Sequence, residues 1–324
     1  MIKMSDYTVV YFSGIDRGFS VPAVLADFNI FGIDVEIRFY GAIIAFGFLL
    51  AVLFGGRMAY KWKMSLDKMI DVLIYGTIFA IIGARLYYVF SKWDYYGAHL
   101  AEIPQIWQGG LAIYGGVIGA FVIGALMCYI RKVNILDMFD VAAIGFLIGQ
   151  GIGRWGNFIN QEAYGTPTGS TWFGISGERI VSDSGIAESL SLMHPCFLYE
   201  SIWCLLGFLI LHKLSKKRAF AGETACMYVA WYGFGRMIIE GFRTDSLMLG
   251  QVRVSQLVSG LMFIAGILLI VVLRRAVKIN KATPVYQQQF DAVDEAEIVE
   301  DTDIEQTANV SAKEDVEDGT DNQR

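Results

Sequence analysis

One run of this chain combines residue types that can hold an anion: Gly153-Arg154-Trp155-Gly156-Asn157-Phe158-Ile159-Asn160-Gln161-Glu162-Ala163-Tyr164-Gly165. An arginine, two asparagines and a glutamate stand where a long apolar stretch has just ended. Charge at the end of a membrane span is costly unless it is paired, wetted or used, so the run marks a functional site. Arg154 and Asn157 are three residues apart and share a face if a helix continues through them. A guanidinium is a planar fork of donors suited to a phosphate, and an asparagine amide can orient a second ligand oxygen. A lone arginine here would read as a side chain snorkelling to lipid headgroups. Asn157, Asn160 and Glu162 beside it argue for a built site. The glycines of the run let backbone and ligand approach closely.

A second group is Tyr232, Arg236, Glu240 and Arg243, at offsets of four, eight and eleven. At about 100° per residue these positions fall within a helical stripe roughly 80° wide. Glu240 is placed to pair with Arg236 one turn before it or with Arg243 three residues after it. A third group is Arg38-Phe39-Tyr40-Gly41, together with Arg85, which is expected to pair with Glu162 or Glu240 or to help hold an anion. In His194-Pro195-Cys196-Phe197-Leu198-Tyr199-Glu200 the proline is expected to start a helix at its first turn. His194 and Glu200 are then expected to pack against the arginines.

Other chemistries are not encoded. Cys128, Cys196, Cys204 and Cys226 form no close pair and read as small buried hydrophobes. No zinc-protease His pair, paired-aspartate motif or lysine-bearing phosphate loop is present, so no metal and no cofactor are expected. Gly174-Ile175-Ser176-Gly177 is similar to the serine motif of rhomboid-type intramembrane proteases. That serine belongs at the start of a membrane helix, whereas Gly177-Glu178-Arg179 and Ser182-Asp183-Ser184 follow here, so the match is rejected.

The elements that must position these groups are membrane helices. Of 324 residues 55% are hydrophobic and 18% charged, and the apolar residues gather in runs of about 20, enough to cross a hydrocarbon core. Seven spans are expected: Phe39–Gly56, Met69–Phe90, Gly110–Ile130, Met138–Trp155, Phe197–Leu211, Glu223–Ile239 and Val254–Leu273, the fifth being the shortest. The fold class is all-α, a polytopic membrane protein. Arg57, Lys61, Lys63 and Lys68, then Arg131 and Lys132, then Lys213 to Arg218, then Arg274 to Lys281 mark alternate loops. The positive-inside rule makes these loops cytoplasmic, so the N-terminus and the signature lie outside. No signal-peptide pattern occurs in the first thirty residues, and the first span is expected to direct insertion. Residues 1–37 form an extracytoplasmic segment, 38–275 the catalytic domain with an outer loop over 156–196, and 276–324 a cytoplasmic tail. From Asp291 onward the chain is acidic and lacks aromatics, so the tail is expected to be disordered and to supply most of the net charge of −6.

The motifs resemble those of the prolipoprotein diacylglyceryl transferases. The supports are Arg38-Phe39-Tyr40-Gly41, Gly83-Ala84-Arg85-Leu86, Trp107-Gln108-Gly109-Gly110, the signature, His194-Pro195 with Leu198-Tyr199-Glu200, and Tyr232 to Arg243, in the family's order. The resemblance covers Arg38 to about Leu273. It implies an enzyme of the bacterial cell (inner) membrane with its site toward the extracytoplasmic face. That enzyme moves the diacylglyceryl group of phosphatidylglycerol onto the lipobox cysteine of a prolipoprotein, in the first step of lipoprotein maturation. The expected partners are that lipid, lipobox signal peptides and the bilayer, with no nucleic acid. Carried over by motif position, Arg154, Arg236 and Glu162 are catalytic. Arg154, Asn157, Asn160, Gly165, Tyr40, Tyr232, Arg85, Glu240, Arg243 and Tyr114 bind the lipid.

One departure bears on mechanism. Many family members carry a histidine where this chain has Tyr114 before Gly115-Gly116. The base is then Glu162, or Tyr114 itself, or the positive field suffices without one. A phenol of ordinary pKa near 10 is a poor base. A transporter would also use intramembrane arginines, but it usually places its site near the bilayer midplane between internal repeats. No repeat is visible here and the polar groups gather toward one face. A structural scaffold would leave Arg154 to Glu162 unexplained.

Overall fold

The computed structural model describes residues 7–12, 19–22, 24–30, 33–106, 109–170, 172–185, 192–244, 248–250, 252–285 and 287. The acidic tail from Asp291 and the pair Trp107-Gln108 lie outside the described residues.

Each of the seven apolar runs forms a helix. In chain order the described helices are α1 (Phe39–Lys61), α2 (Leu66–Ser91), short α3 (Trp93–Tyr96), α4 (Ile113–Arg131), α5 (Ile135–Asn160), short α6 (Glu178–Ser184), α7 (Cys196–Ser215), α8 (Glu223–Ile239) and α9 (Val254–Ile279). Six of them, α1, α2, α4, α5, α7 and α9, are long and apolar enough to cross a membrane. The seventh, α8, has 17 residues. Its length of about 26 Å falls short of a hydrocarbon core of about 30 Å. The fifth run is therefore not the shortest: α7 continues through His212 and Lys213 to Ser215, for 20 residues.

Local chemistry starts and stops these helices. Ser65 caps α2 by accepting from the Lys68 N–H, and Asn134 caps α5 by accepting from the N–H of Leu136 at 2.9 Å. Lys132 ends α4 and Gln161 ends α5, both in the left-handed conformation.

The all-α expectation needs one addition. Strands β1 (Tyr7–Phe12), β2 (Phe19–Pro22), β3 (Val24–Ile30), β4 (Ile33–Arg38), β5 (Ile175–Gly177), β6 (Met248–Leu249) and β7 (Val252–Arg253) form small antiparallel sheets. β1 lies between β2 and β5, β3 pairs with β4 in a hairpin leading into α1, and β6 pairs with β7 just before α9. Ser176 lies in β5, buried and paired opposite Tyr11, which fits its exclusion as a helix-borne nucleophile.

Small residues let the helices pack closely. A Cβ at Gly115 would collide with the Gly83 carbonyl, so α4 and α2 touch backbone to backbone. Between α7 and α8, Trp203 and Trp231 stack at 4.3 Å, and each indole N–H donates to the other's carbonyl, at 2.9 and 3.0 Å. α1 rests on α5 through Gly47 against Ile152 and Gly145 against Ala51.

The end of the bundle opposite the signature is tied by buried charge. Asp140, fully buried in α5, accepts from the Arg218 guanidinium at 2.7 Å and from the Gly222 and Ala225 N–H groups at 2.9 and 2.8 Å. A carboxylate of α5 thus caps the N-terminus of α8, where the helix dipole favours negative charge. Arg218 stacks over Trp62 at 3.6 Å, and Glu223 of α8 pairs with Arg274 of α9. From Asp140 to Arg154 on α5, and from Gly222 to Arg236 on α8, is fourteen residues. Both rise about 21 Å. The cap at one end therefore sets the axial register that brings the two arginines level at the other.

Candidate functional site

The signature forms the last two turns of α5 and the reversal after it. Because the helix runs unbroken to Asn160, Arg154 and Asn157 do share a face, and an Arg154 N–H donates to the Asn157 side-chain oxygen at 3.3 Å. Gln161 at φ 51° and Ala163 at φ 56° then turn the chain back on itself. The Glu162 N–H donates to the Asn157 carbonyl at 3.0 Å. The returning Glu162 carboxylate accepts from the amides of Asn157 and Asn160, at 2.9 and 3.4 Å. Gly156 permits the packing of α1: a Cβ there would sit 2.5 Å from the ring of Tyr40.

Glu200, one turn into α7 and only 4% exposed, is the centre of the site. One carboxylate oxygen pairs with Arg154. The other pairs with Arg236 and lies 3.6 Å from the Arg243 guanidinium. Arg236 also pairs with Glu240 at 2.6 Å. A continuous polar chain results, from Glu162 through Asn157, Arg154, Glu200 and Arg236 to Glu240. Arg154, Arg236 and Arg243 gather on the two buried carboxylates of Glu200 and Glu240, while the third carboxylate of the polar chain, Glu162, reaches Arg154 only through Asn157. Guanidiniums fixed at such a place can take an anion, and low polarity strengthens the attraction.

A cavity of about 400 Å³ opens beside Arg154, between α1 and α5, with α2 at its far end. Tyr40, Arg154 and Asn157 line one end, and Gln150 stands one turn deeper. The remainder is apolar, with Phe48, Leu73 and Met138 among its walls. The volume is that of a small-molecule site, and its amphipathic lining suits a ligand with an anionic head and a hydrocarbon body.

The structure does not bring all the expected residues together. Arg85 pairs with neither Glu162 nor Glu240. Its guanidinium donates to the carbonyls of Glu102, Ile103, Gly109 and Gly110, at 2.7 to 3.1 Å, and ties the loop after α3 to α2. These loop carbonyls need donors, and the Arg85 fork is near enough to supply four of them at once. Arg243 does not extend the α8 stripe, because α8 ends at Ile239 and Arg243 has extended backbone. Its guanidinium lies 3.6 Å from Glu200, and its backbone N–H donates to the Glu240 carbonyl at 3.2 Å. Gly165 is buried in backbone pairing: its N–H donates to the His194 carbonyl at 2.9 Å, and a Cβ would sit 2.7 Å from His194 Cβ. Its backbone donor is therefore committed to the fold. Tyr114 is 69% exposed, sits by Tyr87 and does not line the cavity. Tyr232 stacks on Tyr228 at 5.8 Å, in the layer behind the cavity.

His194 Nδ1 lies 3.0 Å from the Tyr199 hydroxyl, and the ring packs on Phe242. Burial pushes the imidazole below its ordinary pKa, so it is neutral at physiological pH. Of the pair expected to pack against the arginines, Glu200 is at their centre and His194 braces the start of α7. Sequence reasoning gives Glu200 no chemical role and passes over Gln150 altogether. The available signal for Gln150 was a lone amide inside an apolar run, four residues before Arg154.

The family model for prolipoprotein diacylglyceryl transferase matches residues 28–272. A phosphatidylglycerol–prolipoprotein diacylglyceryl transferase of Staphylococcus saprophyticus is 41% identical over 245 residues, 74% of this chain and 86% of the relative. One of Staphylococcus aureus is 41% identical over 259 residues, 78% of this chain and 90% of the relative.

Proposed function

The chain belongs to the prolipoprotein diacylglyceryl transferase family, a transferase family of the membrane, and on that premise we propose how its residues carry the reaction. The substrates are phosphatidylglycerol and the lipobox cysteine of a prolipoprotein. The cysteine thiolate attacks the glycerol carbon that bears the phosphate ester. A C–S bond forms, the C–O bond to phosphate breaks, and glycerol phosphate leaves with the electron pair. Negative charge therefore grows on the phosphate. The observation that carries this reading is the polar end of the cavity, where Arg154 faces the ligand space and Glu200 fixes it beside Arg236. Fixed positive charge at a developing anion is a strong form of catalysis.

The signature end of the bundle faces the extracytoplasmic side, supported by the Lys and Arg of the opposite loops. The protein is a multi-pass protein of the bacterial cell membrane. α8 serves as a seventh span, short because its N-terminus is drawn in to Asp140. Asn157, Asn160 and Tyr40 orient the headgroup.

Glu162 takes the thiol proton. Its carboxylate accepts from the amides of Asn157 and Asn160, whereas Glu200 and Glu240 are paired with guanidiniums. A thiol of ordinary pKa near 8.5 needs that help, and the nearby arginines lower its pKa further. Tyr114 is structural. Tyr114→Phe is expected to retain near-normal turnover, and a loss of a hundredfold or more would return the phenol to the mechanism.

The test of function uses the purified protein in detergent with phosphatidylglycerol and a lipobox peptide, beside the same peptide with serine for cysteine. Peptide mass and released glycerol phosphate are followed together. A diacylglyceryl gain on the cysteine peptide alone, matched by glycerol phosphate, is expected. No mass change with folded protein would move the reading to lipid or anion transport.

A further inference from the structure

Gln150 is the polar residue of the cavity wall that the headgroup chemistry leaves unused. It stands on α5 four residues before Arg154, one turn or about 6 Å further from the signature end, where the rest of the lining turns apolar. Its amide nitrogen donates to the Tyr228 hydroxyl at 2.9 Å, and the Cys204 thiol lies 3.9 Å from its amide oxygen. Those contacts come from the α7 and α8 side and hold the amide in one orientation. A primary amide carries two N–H donors, so one remains for a group in the cavity.

A diacyl glycerophospholipid presents a matching acceptor. With its phosphate at Arg154, the ester carbonyls of its chains follow a few bonds deeper, at about the depth of one helical turn. Below them the chains need only hydrocarbon, which Phe48, Leu73 and Met138 supply. We propose that Gln150 is an ester-carbonyl subsite: its free N–H donates to one acyl carbonyl of the donor lipid and sets how deep the glycerol sits beneath Arg154. The assignment rests on the functional reading above. It makes the enzyme selective for ester-linked over ether-linked chains, although neither carbonyl takes part in bond breaking.

The test compares phosphatidylglycerol with its analogue whose two chains are joined by ether links, for the parent and for Gln150→Leu. Both lipids carry the same phosphate ester, so both can transfer their glyceryl group. For the parent, kcat/KM is expected to favour the diester about fivefold to tenfold, the worth of one hydrogen bond to a desolvated carbonyl. In Gln150→Leu the diester rate falls by that factor while the ether rate holds, and the ratio moves to about one. The retained ether rate also shows that the variant is folded. Equal losses on both lipids would make Gln150 a brace for Tyr228 only and overturn the subsite, as would an unchanged ratio. Failure of the parent to transfer from either lipid would overturn the functional reading instead.

Discussion

Replacing Arg154 with alanine is expected to slow transfer by about a thousandfold or more while leaving the protein inserted and expressed. Arg154 is the guanidinium that both lines the cavity and pairs with Glu200. It is 24% exposed at its side chain, against 17% for Arg236 and 11% for Arg243, and so is the one open enough to meet a ligand. Its loss removes the positive charge nearest the leaving phosphate. Glu200 keeps Arg236 and Arg243, so the core of the site stays paired and the fold survives. Turnover of phosphatidylglycerol and lipobox peptide, with thermal stability of the same preparation, checks both halves. Parent-level turnover would mean the phosphate binds elsewhere. Lysine at this position should recover only part of the rate, because an ammonium cannot hold Glu200 and Asn157 with the same fork.

Glu200→Gln is the second large effect, and its signature differs. Here the shape remains but the shared counter-charge goes. Arg154, Arg236 and Arg243 then crowd one neutral amide, with Glu240 as the remaining buried carboxylate of the cluster. Breaking a buried ion pair from one side costs about 3–5 kcal/mol, so a lowered midpoint of thermal unfolding is expected along with about a hundredfold loss of transfer. Arg154→Ala should lose activity with little change in that midpoint, and Glu200→Gln should lose both. If Glu200→Gln kept its midpoint and its turnover, Glu200 would not be what aligns the arginines.

Much of this architecture was legible in the chain because membrane helices announce themselves by length and apolarity. All seven runs form helices, and the Glu223–Ile239 bounds match to the residue. The signature was legible for the same reason: polar residues in a sequence this apolar are few, and each must have a partner or a use. What could not be read was which partner. Arg85 and Arg154 both stand near the ends of spans, yet one is held by loop carbonyls and the other by a glutamate from another helix. That choice depends on which backbone groups the loops leave unsatisfied, and on a contact between residues 46 positions apart. The Arg243 expectation failed at a helix end, where a periodicity argument has nothing to say about the residue that leaves the helix. The small sheets were missed because short strands carry too little pattern to stand out beside apolar runs of 20.

The ties at the two ends of α8 also bear on how the chain is built. Taken alone, this helix would bring Glu223, Arg236 and Glu240 toward hydrocarbon with only the nearby Ala219 N–H on Glu223 and no cation for it, and an isolated short segment so charged is a poor candidate for insertion. Synthesis runs from the N-terminus, so Asp140 and Glu200 are already in place when α8 emerges and can receive it at once. Arg274, the partner of Glu223, comes only with α9. Assembly therefore has an order: α9 neutralises a charge that α8 carried in, after the Asp140 cap has already brought the arginines of α5 and α8 level.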